Sequence, residues 1–236
     1  MNTSLELNRR EWLGSAAAAS AFVFGFPTGA AAQDSTAPEV NAWVVIHPDD
    51  RVIIRIARSE MGQGTLTGLA QLVAEELACD WGKVSTEYPT PATNLKRNRV
   101  WGNFSTGGSR GIRESHEYVR KGGAAARMML VQAAAEQWRV PAAECRADKG
   151  MVTHATSNRR ARYGELADTA SKLTPPTEVT LKDPKDWTLA GKPIARLDTV
   201  DKTTGKQIYG ADLKLPGLLN AAIKDCPVFG GKVASF

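Results

Sequence analysis

The stretch Ser59-Glu60-Met61-Gly62-Gln63-Gly64, followed by Thr65-Leu66-Thr67-Gly68-Leu69-Ala70-Gln71-Leu72-Val73-Ala74-Glu75-Glu76-Leu77, decides how the chain is read. Leu66, Leu69, Ala70, Val73 and Leu77 recur at offsets of three and four, which places one apolar stripe on a helix over residues 65–79. Upstream, residues 42–47 and 51–57 read as two strands around the turn Pro48-Asp49-Asp50, a β-hairpin. The glycine-rich stretch therefore joins a strand to the start of a helix. The first turn of a helix has free N–H groups and a partial positive charge, and glycine lets a ligand approach the backbone, so such a loop suits a phosphate or another oxyanion. An exposed helix end favours an anion by only about 0.3–1 kcal/mol. Taken alone, a strand, Gly-rich turn and helix is also an ordinary connection.

A second glycine-rich loop, Ser105-Thr106-Gly107-Gly108-Ser109-Arg110-Gly111, precedes another helical segment. Neither loop has the GxGxxG spacing of dinucleotide binders or the Gly-Lys-Ser/Thr ending of a P-loop. Gln63 adds an amide that both donates and accepts, and Ser105, Thr106, Ser109 and Arg110 add donors around the second loop. Such a set suits a heteroatom-rich ligand, provided the two loops converge.

Working outward, residues 83–88 read as a strand and 89–103 as a loop holding Lys96, Arg97 and Arg99. A long helix is expected from about residue 113 to 138, interrupted at Gly122 and Gly123, which either kink it or allow close packing. Residues 142–146 and 151–155 read as short strands and 163–172 as a short helix. Repeated prolines make 176–193 a linker between a first domain, 38–175, and a last one, 194–236. In the last, residues 205–212 and 218–225 read as strands joined across Pro216-Gly217, and no internal repeat is evident. The class is α+β.

The chain has 236 residues, 42% hydrophobic and 23% charged, the balance of an ordinary globular protein. Its formal charge is +5 with dispersed bases. The clusters at Lys96, Arg97 and Arg99 and at Arg159, Arg160 and Arg162 are too short for a nucleic-acid tail and read as solvated faces. A moderate basic field also favours anionic ligands or a phosphate-bearing cofactor. Cys79, Cys145 and Cys226 lack the spacing of a zinc or iron–sulfur ligand pair and read as small apolar residues. One pair can still close in an oxidising compartment, and the sequence does not choose which. His47, His116 and His154 are too scattered for a metal cluster, and no residue is assigned as a metal ligand. The tryptophans anchor packing, with Trp101 and Phe104 placed where they can face a ligand at the second loop.

Residues 1–32 carry Arg9-Arg10, then Trp12, an apolar run over 15–26, and Ala30-Ala31-Ala32. This is the charged, apolar, small-residue order of a secretory signal, and the run is too short for a stable membrane span. The arginine pair with a bulky aromatic two residues on resembles a twin-arginine signal, the alternative being an ordinary secretory signal or an uncleaved anchor. The expectation is a periplasmic protein, cleaved near Ala32 and exported folded.

The first loop and the helix carrying Gln71-Leu72-Val73-Ala74-Glu75-Glu76-Leu77 resemble the molybdopterin-binding subunit of the xanthine dehydrogenase family. Within it the resemblance is closest to the isoquinoline 1-oxidoreductase beta subunit and the large subunit of periplasmic aldehyde dehydrogenases. The second loop agrees, as do Arg196-Leu197-Asp198, Gly205-Lys206, Tyr209-Gly210-Ala211-Asp212 and Leu215-Pro216-Gly217-Leu218-Leu219, which resemble the start of that family's hammerhead domain. The resemblance implies that Met61, Gly62, Gln63 and Gly64, with Gly107, Gly108, Ser109 and Arg110, contact a molybdopterin cytosine dinucleotide carrying molybdenum. It implies oxidation of an aldehyde or N-heterocycle with water-derived oxygen, a small [2Fe-2S] partner subunit, and a cytochrome c as a further acceptor. Family members continue several hundred residues past the hammerhead, and that part supplies the general base, so no catalytic residue is assigned in this chain. The other reading is an exported non-catalytic scaffold or a truncated remnant of such a subunit.

Overall fold

In a computed structural model of the chain, residues 37–235 are described. The expected export signal lies outside the described residues. The chain divides into two compact units, the first ending at Leu197 and the second beginning at Asp198.

The first unit is built on a four-stranded sheet in the order β1 (Glu39–Asn41), β2 (Val44–Ile46), β3 (Val52–Arg55) and β4 (Val84–Glu87). The expected hairpin is β2 and β3, antiparallel with Val45 opposite Ile53. β3 and β4 run parallel, with Val52 opposite Val84 and Arg55 opposite Glu87. Parallel neighbours need a crossover, and α1 (Thr65–Leu77) supplies it. The first glycine loop therefore sits where β3 ends and α1 begins.

The loop expected over 89–103 contains a short helix, α2 (Pro91–Lys96). Thr90 caps it by accepting from the Thr93 N–H, with proline at the first turn, a signature that the Pro-Asn composition concealed. The helix expected from 113 to 138 is two helices, α3 (Arg110–Arg113) and α4 (His116–Trp138), broken at Glu114 and Ser115 rather than at the glycine pair. Of the two roles open to that pair, close packing is the one realised. A Cβ on Gly123 would lie 2.4 Å from the Val73 carbonyl oxygen, and one on Gly122 would lie 2.7 Å from the Trp43 ring. α4 thus seats its backbone against α1 and the sheet.

β5 (Cys145–Asp148), β6 (Met151–His154) and β7 (Arg159–Arg162) form an antiparallel meander, and α5 (Tyr163–Ser171) follows. The core between sheet and helices holds Val44, Ile46, Ile54, Leu69, Val73, Leu77, Leu130, Tyr163 and Leu166. Tyr163 donates its hydroxyl to the Leu77 carbonyl at 2.7 Å, so its one polar atom is satisfied. Burial raises its pKa. All three cysteines are free, Cys79 and Cys145 buried and Cys226 exposed. Burial pushes the Cys79 thiol up to about 12, which makes it inert.

The basic clusters are less solvated than expected. Arg97 pairs with Glu39 at 2.6 Å and lies over Trp101, while Arg162 pairs with Asp50 and Glu165. Arg159 donates to the Trp138 carbonyl at the end of α4.

In the second unit the two expected strands do not form. Residues 218–225 carry no regular structure, and 205–212 end in a single 3-10 turn, Gly210–Asp212, after a short helix, α6 (Thr199–Thr203). A strand is stabilised by its ladder and by cross-strand side chains. Neither segment has such a neighbour among the described residues, and Leu218, Leu219 and Ile223 remain exposed. No helix among the described residues is long and apolar enough to cross a membrane.

Candidate functional site

The two glycine loops meet. Ser59 at the head of the first loop donates its N–H to Thr106 Oγ1 in the second at 2.9 Å. Arg58, three residues past the end of β3, donates through Nε to Ser115 Oγ at 3.0 Å and through its guanidinium to the Ser105 carbonyl. Behind the loops the helices are in register by small residues. A Cβ on Gly111 would sit 2.9 Å from Thr65 Oγ1, and one on Gly68 would sit 3.0 Å from Ile112. The eight residues expected at a site therefore do lie on two adjoining loops.

Their chemistry differs from the expectation in one respect. The N–H groups of the first loop already have an anion. Glu60 accepts from Gly62 N at 2.7 Å and Gly64 N at 3.0 Å through Oε1, and from Leu66 N at 3.0 Å through Oε2. Gly64 is the N-cap of α1 and has no side chain with which to cap it, so the carboxylate of Glu60 takes that place. Arg196 completes the arrangement, donating to Glu60 Oε1 at 3.1 Å and to the Gly62 carbonyl at 3.0 Å. Burial raises the Glu60 pKa, but the three N–H donors and Arg196 outweigh it and hold the carboxyl below the usual range. Gln63 is also engaged, accepting from Met61 N and donating to the Ser59 carbonyl at 2.8 Å. Gly62 and Gly64 have φ of 100° and 86°, values that favour glycine. Met61 is the loop's exposed large apolar side chain, at 67%.

The second loop is the open one. Among the described residues nothing accepts from the N–H groups of Gly107, Gly108 or Ser109, and no atom comes within 4 Å of a Cβ placed on Gly107. Arg110 folds back on the loop, donating to the Gly107 carbonyl at 3.2 Å. Beside the loops lies a recess of 400 Å³ walled by Trp43, Arg58, Arg99, Trp101 and Tyr118. Trp101 is buried and donates its indole N–H to the Ala42 carbonyl. Among the described residues no group of histidines, cysteines and carboxylates is arranged to hold a metal ion.

Three residues at this site escaped the sequence reading in their roles. Glu60 was legible as an acidic residue beside a helix start. Arg58 and Arg196 carry no local signal, since Arg196 reaches the loop from 134 residues away.

The N–H donors on the second loop and the arginines beside it fit a phosphate-bearing, heteroatom-rich cofactor. Residues 3–211 match the molybdopterin cofactor-binding domain family, and the chain belongs to it. It is 34% identical to the isoquinoline 1-oxidoreductase subunit beta of Brevundimonas diminuta, over 80% of this chain and 29% of that one. It is 30% identical to a membrane-bound aldehyde dehydrogenase [pyrroloquinoline-quinone] of Gluconacetobacter polyoxogenes, over 89% of this chain and 27% of that one. This chain thus spans less than a third of the curated relatives it matches. Quinoline 2-oxidoreductase from Pseudomonas putida 86 aligns in structure at TM-score 0.41 and 18% identity, over 57% of this chain and 17% of that one.

Proposed function

We propose that this chain is the molybdopterin-binding part of an exported molybdenum hydroxylase that oxidises an aldehyde or N-heterocycle with oxygen derived from water. The observation that carries the reading is the junction of the two glycine loops, one with its N–H groups satisfied by Glu60, the other with N–H groups that have no acceptor among the described residues. Gly107, Gly108, Ser109 and Arg110 are the residues that bind the anionic and heteroatom groups of the cofactor, which is taken to be the cytosine dinucleotide form. Met61 and Gln63 contact it from the first loop, whose shape Glu60 maintains. When bound, the molybdenum cofactor supplies the redox chemistry, and this chain orients it without contributing a proton-transfer group. A small [2Fe-2S] subunit and a cytochrome c would be the partners that accept electrons. Export through the twin-arginine pathway to the periplasm belongs to the same proposal.

Metal analysis of the native protein tests it, with molybdenum and pyrroloquinoline quinone both quantified per chain by mass spectrometry. The second assay is needed because one relative's name specifies that quinone. Near-stoichiometric molybdenum is expected. Folded protein free of molybdenum overturns the enzyme reading and leaves the exported scaffold. Quinone in its place overturns the cofactor assignment alone.

A further inference from the structure

The residues following α5 run back along α1 as a strap. Three polar residues of α1 at intervals of four hold it. Glu75 accepts from three successive N–H groups, Thr188 at 2.9 Å, Leu189 at 2.6 Å and Ala190 at 3.0 Å, and pairs with Lys182 at 2.8 Å. Gln71 donates to the carbonyls of Leu189 at 2.6 Å and Lys192 at 3.0 Å. Thr67 accepts from the Leu197 N–H at 3.0 Å. Residues four apart lie one above another on a helix, so these contacts form a single ladder with the strap antiparallel to the helix. At its far end the strap delivers Arg196 to Glu60 and the Gly62 carbonyl.

We propose that Thr67, Gln71 and Glu75 are positioning residues for the first glycine loop, acting through Arg196. Each rung removes freedom from the strap, and the last places a guanidinium where it locks the carboxylate that orders the loop. Glu75 and Glu76 are both buried. Glu76 holds the near end, accepting from Lys182 N at 3.0 Å and from Arg120 Nε at 2.8 Å. The value of the ordered loop to a cofactor rests on the function proposed above, whereas the positioning itself does not.

Amide hydrogen exchange in the full chain, read by mass spectrometry, separates the two. Arg196→Ala is expected to speed exchange at Gly62, Gly64 and Leu66 by about tenfold, with the second half of α1 unchanged. Gln71→Met, remote from the loop and only partly buried, is expected to speed the same three amides. Arg196→Lys restores protection in part, through one of the two contacts. In the double variant the effects of Gln71→Met and Arg196→Ala do not add, because both act through one group. Thr67→Val, nearly equal in shape, repeats the test at the last rung. Loop exchange unaltered by Gln71→Met and Thr67→Val, or strictly additive effects, would overturn the proposal. Neither result depends on whether cofactor is bound, so molybdenum content remains an independent measure of the function.

Discussion

Gly123 and Gly107 show how differently two glycines serve the same chain. At Gly123 a methyl would lie 2.4 Å from the Val73 carbonyl oxygen, a backbone atom that cannot swing away. Gly123→Ala is expected to force α4 off α1 and cost about 3 kcal/mol, the upper end for overpacking, seen as a lower denaturation midpoint. At Gly107 nothing opposes a methyl. Gly107→Ala is expected to leave stability unchanged or raise it by about 0.5 kcal/mol through the unfolded chain. A fall in bound molybdenum in that variant would therefore report the loop's contact with cofactor and not a folding defect. The acidic anchors set the pH response. For Glu75, burial raises the pKa, but Lys182 and the N–H groups of Leu189 and Ala190 lower it further, and for Asp50 burial is likewise outweighed by Gly164 N–H and Lys83. With Glu60, all three carboxyls lie below their ordinary values of 4.5 for glutamate and 3.8 for aspartate. A depressed folded-state pKa adds stability that is fully present above the unfolded value and lost as pH falls through the folded one. The melting temperature should hold from neutrality to about pH 5 and fall below about pH 4, with a shallower acid limb in Glu75→Gln. A fall beginning near pH 6 would show that these carboxyls do not set the acid limb.

At the level of elements, legibility followed the strength of the local pattern. α1 carries a full apolar stripe, and the β2–β3 hairpin has a β-branched apolar run on each side of a proline turn, so both were plain in the sequence. β1 and β7 were not. β1 is three residues whose geometry depends on Asn41, which accepts from Trp43 N and Val44 N and donates to the Gly122 carbonyl 81 residues away. β7 looks like a charge cluster because only Ala161 is buried within it. Arg55 shows what such tertiary partners contribute. It pairs with Glu39 on β1 at 2.5 Å and with Glu87 on β4 at 2.6 Å, joining the strand the sequence hid to one it displayed. Arg55→Met should take from Glu87 its guanidinium partner and leave Glu39 with Arg97, at a cost of about 2 kcal/mol, below the ~3–5 kcal/mol of a fully buried pair because Glu39 keeps that partner and some solvent. Equilibrium unfolding in urea at pH 7 checks this, and an unchanged denaturation midpoint would show that Arg55 does not join the two strands energetically.

For the whole molecule, the sequence showed which residues form the two loops but not that Arg58 and Arg196 fasten them, because those contacts close only after folding. The same limit explains the second unit, where apolar residues read as strands have no ladder to join among the described residues. Chain segments with few hydrogen bonds and exposed side chains open at low free energy and are cut first by proteases. Lys214, Lys224 and Lys232 lie in such a stretch. Arg196 is also accessible in part, yet the backbone around it is tied to α1 through Gln71 and Thr67. Brief trypsin digestion should therefore cut at Lys214, Lys224 and Lys232 well before Arg196, as read by fragment mass. Early cleavage after Arg196 would show that the strap lifts from α1 as readily as the second unit opens. In that case Glu60 would have to order the first loop without Arg196.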